Sequence, residues 1–143
     1  MNRVCFVVML VAGLGAGCKN SGTTTSASST TSQAVATPTA TDTFSGVLAV
    51  GDFQFFKFTV GVFGTVNVTV ASISGAGVPT TVQTRVGLGT LSDSGCTITT
   101  SALSKPGVVG VTANEQPGDF CATIADVGNL IGPASFTLTV DHP

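Results

Sequence analysis

The chain has 143 residues, of which only 8% are charged: five Lys and Arg against seven Asp and Glu. Cations are too sparse for the extended basic patch that neutralises a nucleic-acid backbone, so nucleic acid is not expected as a partner. Trp and Tyr are absent; their rings with polar handles commonly serve binding surfaces, so a sugar-stacking platform is disfavoured.

Met1-Asn2-Arg3 supplies one positive charge, and Val4 to Ala16 is almost wholly apolar. Charge, apolar core and small residues in this order read as a secretory signal. A helix of that length rises about 20 Å, whereas a bilayer span takes about 20 residues, so the segment is too short to be a transmembrane helix. It closes on Leu14-Gly15-Ala16-Gly17-Cys18. This run resembles the lipobox of bacterial lipoproteins, where cleavage precedes a cysteine that carries lipid. It departs from that pattern at Gly15, where the family prefers a branched aliphatic residue. Cysteine arithmetic favours lipidation over ordinary cleavage. Cys5 leaves with the signal, Cys96 and Cys121 can pair, and Cys18 would otherwise remain an odd thiol in an oxidising compartment. The resemblance implies a signal peptide over residues 1–17 and lipid attachment at Cys18. Lys19 is not the Asp that retains many lipoproteins at the inner membrane, so the resemblance also implies the outer membrane, on its periplasmic or surface face. An anchor of two or more acyl chains holds a protein stably where one chain does not.

Residues 18–41 are rich in Ser and Thr, nearly uncharged and without an apolar period. Such a segment buries too little surface to offset its ordering entropy and is expected to be a disordered tether, averaging roughly 25–30 Å end to end. A single domain is expected over residues 42–143.

Period-two alternation dominates that domain and helical periodicity is absent. Expected strands are Phe44 to Val50 and Gln54 to Val60, the latter with Phe56, Phe58 and Val60 inward. Gly64 to Val70 follows, with Val66, Val68 and Val70 on one face. Next come a stripe of Thr84, Val86 and Leu88 with Gln83 and Arg85 outward, segments near Cys96–Thr100 and Val108–Thr112, a stripe of Phe120, Ala122 and Ile124, and Ser135 to Val140. Gly and Pro punctuate them at Gly51-Asp52, Gly61 to Gly64, Gly75 to Pro79, Lys105-Pro106-Gly107, Pro117-Gly118 and Gly132-Pro133. About seven or eight short strands with half-polar faces make an all-β, antiparallel β-sandwich of jelly-roll or immunoglobulin-like type.

The succession T-F-S-G-V-L, D-F-Q-F-F-K-F-T-V, G-T-V-N-V-T-V, V-G-L-G-T, G-D-F-C-A-T-I and G-P-A-S-F-T-L-T-V resembles the bacterial pre-peptidase C-terminal domain over residues 43–141. That family is a small β-sandwich found beside secreted peptidases and in other exported proteins. Phe56 and Phe120 stand where it usually has Tyr. The acidic segment that binds calcium in some relatives is replaced here by the Ser/Thr tract, which counts against calcium.

Cys96 and Cys121, in a chain read as exported, are expected to form a structural disulfide. They show neither C-x-x-C spacing nor a set of four metal ligands. His142, the only histidine, lies beside the C-terminus, where residues usually fray, and no G-x-S-x-G elbow accompanies it. Asp52, Asp93, Asp119 and Asp126 fall at expected turns or strand ends, where Asp bonds its own backbone. A loop-end calcium site from Asp93 or Asp119 with Asp126 is the lesser alternative, and no metal or cofactor is expected. Phe53 and Phe55 face away from Phe56 and Phe58, alongside Lys57. They form either an exposed apolar binding patch or a surface covered by a neighbouring loop. The chain is thus expected to be a non-catalytic, lipid-anchored envelope module with a structural, scaffold or binding role, its partners the membrane and envelope proteins or surface polymers. The alternative is an accessory domain assisting a secreted peptidase or other hydrolase in trans.

Overall fold

Alternating apolar and hydroxyl-bearing residues build extended strands wherever one face is buried. The computed structural model describes residues 32–143 and contains eight such strands: β1 Ala40–Leu48, β2 Phe53–Val60, β3 Gly64–Ser74, β4 Thr84–Ser92, β5 Gly95–Ser104, β6 Val109–Glu115, β7 Gly118–Asp126 and β8 Ala134–His142. They form two four-stranded sheets, ordered β1-β8-β3-β6 and β2-β7-β4-β5. β1 pairs with β8, β2 with β7, β3 with β6 and β4 with β5, all antiparallel. The chain is therefore one long hairpin, centred on the β4–β5 turn and wound so that its segments fall in opposite sheets. This is the eight-stranded jelly roll and not the immunoglobulin order.

The inward stripes meet between the sheets. Val66, Val68, Leu138 and Val140 of one sheet and Val86, Leu88 and Ile124 of the other are fully buried in a single core cluster. Full burial of each such side chain contributes about 1.5–3 kcal/mol. Phe44 stacks on Phe56 at 4.9 Å between centroids, and Phe56 meets Phe136 edge-on at 6.0 Å, filling one flank of the core.

Winding puts the β1–β2, β3–β4, β5–β6 and β7–β8 connections at one end of the sandwich. The β2–β3, β4–β5 and β6–β7 turns lie at the other, together with Pro143 and the segment before β1. That segment extends the domain into the span expected to be tether. β1 begins at Ala40, and Ala36 forms a parallel bridge with Gly64: the Ala36 amide donates to Phe63 O (3.1 Å) and the Thr65 amide to Ala36 O (2.9 Å). The Thr39 amide also caps His142 O at 3.0 Å. Composition placed residues 36–41 in the tether because it carries no trace of these long-range backbone partners.

Gly64 permits this close approach, since a Cβ there would meet Ala36 O and lie 2.9 Å from Pro143 Cγ. Gly64→Val is expected to unseat Ala36, lose its two backbone hydrogen bonds at about 1 kcal/mol each, and open residues 32–39 to protease. Thermal melts and limited proteolysis with mass mapping check this.

Candidate functional site

Strand alternation gives each sheet an outer face, and the two faces differ in chemistry. The outer face of the β1-β8-β3-β6 sheet is mostly hydroxyl and amide, with Val47 and Val109 exposed at its edge strands. Thr41 Oγ1 donates to Asp141 Oδ1 at 2.6 Å, Thr65 Oγ1 to Asn114 Oδ1 at 3.0 Å and Thr112 Oγ1 to Asn67 Oδ1 at 2.8 Å. The outer face of the β2-β7-β4-β5 sheet is apolar and cationic. Register places its residues in three rows across all four strands: Phe53–Ala125–Arg85–Leu103, Phe55–Thr123–Gly87–Ser101 and Lys57–Cys121–Gly89–Ile98. Phe53, Phe55, Ile98 and Leu103 are 45%, 38%, 41% and 52% exposed, and Lys57 and Arg85 are exposed beside them.

This face is shaped by a strand that folds over it. Flat sheet geometry would put β5 and β7, with β4 between them, about 9–10 Å apart. The Cα atoms of Cys96 on β5 and Cys121 on β7 are 5.9 Å apart and bridged by a disulfide. The hairpin therefore curls across the outer side of β4. Gly87 and Gly89 make room for it: a Cβ on Gly89 would lie 2.9 Å from Ile98 Cα, and one on Gly87 would lie 3.3 Å from Ile98 Cγ2. A bulge at Leu88/Gly89 supplies the added bend. Cys121 and Thr123, although on an outer face, are buried beneath the curl. Gly95 at its tip comes against the Phe55 ring, where an added Cβ would sit 3.9 Å from it.

Phe53, Phe55 and Lys57 thus stand together on the outer face. The covering-loop reading fails for Phe53 and holds only in part for Phe55, because the hairpin tip reaches one edge of the patch and stops. Ile98 and Leu103 were not singled out by sequence reasoning. The two outward glycines of V-G-L-G were the available signal that another strand crosses there. Arg85 was read as outward, but its place in the Phe53 row comes only from register. Cys18 lies outside the described residues.

His142 is the last residue of β8 and does not fray. Its ring is buried at 5.6 Å from the Phe58 ring, and its Nε2 sits 3.2 Å from Asp42 Oδ2. Nδ1 faces Pro143 O at 3.4 Å. Neither ring nitrogen touches a hydroxyl, so the His142–Asp42 pair lacks the nucleophile contact that a triad requires.

Asp126 accepts backbone amides from Gly51 (2.8 Å), Gly128 (3.1 Å), Asn129 (3.0 Å) and Leu130 (3.2 Å), fastening the β1–β2 turn to the β7–β8 loop. Partial burial pushes its carboxyl up, but the four amides outweigh it and hold the group below the ordinary aspartate value of 3.8. Asp93 and Asp119 lie at the opposite end of the sandwich. Asp119 and Asp126 are seven residue steps apart along β7, about 23 Å, so the loop-end calcium arrangement does not form. Among the described residues no three His, Cys, Asp or Glu side chains gather as a metal site.

No protein-family model matches this chain, and no curated protein matches it.

Replacing Cys96 and Cys121 by Ser is expected to cost about 3–4 kcal/mol, given a closed loop of 25 residues. It is also expected to raise hydrogen exchange in the β4–β5 hairpin before it does so elsewhere. Asp126 stabilises the fold fully above 3.8, and that contribution is lost as pH falls through its lower folded value. Asp126→Asn is therefore expected to lower the melting temperature at neutral pH and to flatten its decline below 3.8, as read by melts across acidic pH.

Proposed function

We propose that this protein is a non-catalytic, lipid-anchored module of a bacterial cell envelope that binds through the outer face of its β2-β7-β4-β5 sheet. The observation that carries this reading is the contrast between the two outer faces. One is mostly hydroxyl and amide, with Val47 and Val109 its exposed large apolar side chains, while the other leaves Phe53, Phe55, Ile98 and Leu103 and two cations open to solvent. Contiguous apolar surface rimmed by polar groups marks interaction sites. The lipobox resemblance at Cys18 supports attachment to membrane, and the resemblance to pre-peptidase C-terminal domains supports an exported, accessory role. The titratable groups support a structural rather than catalytic assignment: Asp126 is consumed by loop amides and His142 by Asp42 and the chain end.

Intact mass of membrane-extracted protein tests the anchor. The expected species begins at Cys18 and carries acyl chains, and Cys18→Ala abolishes it. An unacylated chain beginning elsewhere overturns the anchor. Hydrolase activity in the purified protein that disappears in Asp42→Asn or His142→Gln overturns the non-catalytic assignment.

A further inference from the structure

The exposed face of the β2-β7-β4-β5 sheet combines two features in a chain poor in charge. Its apolar side chains lie at both edge strands, with Phe53 and Phe55 on β2 and Ile98 and Leu103 on β5. Its cations lie between and beside them in the same register rows. The described residues hold three Lys and Arg against seven acids, and two of those three cations, Lys57 and Arg85, are here. Neither forms an ion pair among the described residues, where the sole bridge is His142–Asp42. Of the acids, Asp119 sits on this face at the end nearest the β6–β7 turn and accepts the Thr59 hydroxyl at 2.8 Å, and Asp93 lies in the β4–β5 turn beside Gly95. Two cations outside any ion pair, set among exposed apolar side chains, fit an anionic, amphipathic surface.

The attachment point favours the same occupant. Ala36 is fixed to the sandwich at Gly64, so 17 residues separate it from Cys18. Residues 19–31 lie outside the described residues; a Ser/Thr/Gly coil of the expected tether's composition and this length averages about 20–25 Å. That span is shorter than the roughly 30 Å length of a nine-residue strand, so a domain held at Cys18 stays within its own length of the lipid surface. It leaves the end of the sandwich where Lys57 and Thr59 lie.

From these observations we infer that the outer face of the β2-β7-β4-β5 sheet docks on an anionic lipid surface, with Phe53, Phe55, Ile98 and Leu103 entering the interface and Lys57 and Arg85 meeting lipid phosphates. The inference rests on the lipid-anchored reading for its biological setting, but the face itself is testable without the anchor. Tethering raises the local concentration of the face at the bilayer, so a contact weak in isolation is sufficient. The contact weakens with added salt, as exposed charges are screened.

All buried core residues and both disulfide cysteines lie between Leu48 and Val140, so a chain of residues 19–143 keeps the whole folded unit and carries no lipid. This chain is mixed with vesicles of equal parts phosphatidylglycerol and phosphatidylcholine, and separately with phosphatidylcholine alone, and sedimented. Binding is expected to the anionic vesicles only. Lys57→Gln with Arg85→Gln is expected to weaken it by about tenfold or more, at roughly fivefold per cation. Phe53→Ser with Phe55→Ser is expected to abolish it. Ile131→Ser is expected to leave it unchanged, although Ile131 is 81% exposed on the β7–β8 loop. Circular dichroism melts confirm that each variant folds, and the charge pair, fully on the surface, keeps the test decisive if the Phe variants unfold. Equal sedimentation with both vesicle types, indifference to the charge variants, or an equal loss in Ile131→Ser overturns the inference. So does capture of an acidic protein or a second copy through this face with no vesicle binding. None of these outcomes bears on the mass of the acylated chain, so the anchor and the face stand or fall separately.

Discussion

Close approach of β5 to the backbone of β4 at Gly87 and Gly89 is the constraint on which the distinctive half of this molecule depends. Any side chain at Gly89 would strike Thr97 and Ile98, and the hairpin would lie flat as in an ordinary sheet. Cys96 would then sit two strand spacings from Cys121, beyond disulfide reach. Thr123 and Cys121 would be open to water, and Ile98 would not stand in the row that holds Lys57. The glycines carry an entropic cost within a strand, and the disulfide offsets it by restricting the unfolded chain. Backbone room and covalent strap are two parts of one device.

The rest of the jelly roll positions that device. Winding a single hairpin brings β2 and β5, far apart in sequence, to the two edges of one sheet, so the apolar residues of the face come from both margins. Its loops are closed by backbone donors that converge on one carboxylate, Asp126. An acid spent this way holds two connections together. At the other end the Asp42–His142 contact and the Ala36 bridge seal the mouth of the sandwich where Pro143 and the segment before β1 meet it.

Much of this architecture is legible in the sequence, because a half-buried antiparallel strand writes its two faces as alternation. Val66-Asn67-Val68-Thr69-Val70 and Phe136-Thr137-Leu138-Thr139-Val140 state both faces directly. The Cys96–Cys121 pairing is legible by counting thiols in a chain whose N-terminus reads as a secretory signal. What alternation does not encode is lateral neighbourhood. That Phe53 shares a row with Arg85 and Leu103 depends on pairings between β2, β7, β4 and β5. That β5 curls depends on a one-residue bulge visible only as an offset between partners. The burial of His142 and the docking of Ala36 arise from contacts about a hundred residues apart in one case and nearly thirty in the other, and local composition pointed the opposite way for both.

We propose two attachments of unequal kind: a covalent one at Cys18 and a face that meets what the first brings near. The central claim is that the β2-β7-β4-β5 sheet, and not the hydroxyl-lined sheet behind it, faces the bilayer. Its most direct test is depth measurement by a spin label on the acylated protein bound to phosphatidylglycerol-rich bilayers. The label is placed through Leu103→Cys on one outer face or Thr43→Cys on the other. The account predicts a label at residue 103 at headgroup depth and one at residue 43 in water; labels equally solvated at both positions, or deeper at 43, would contradict it.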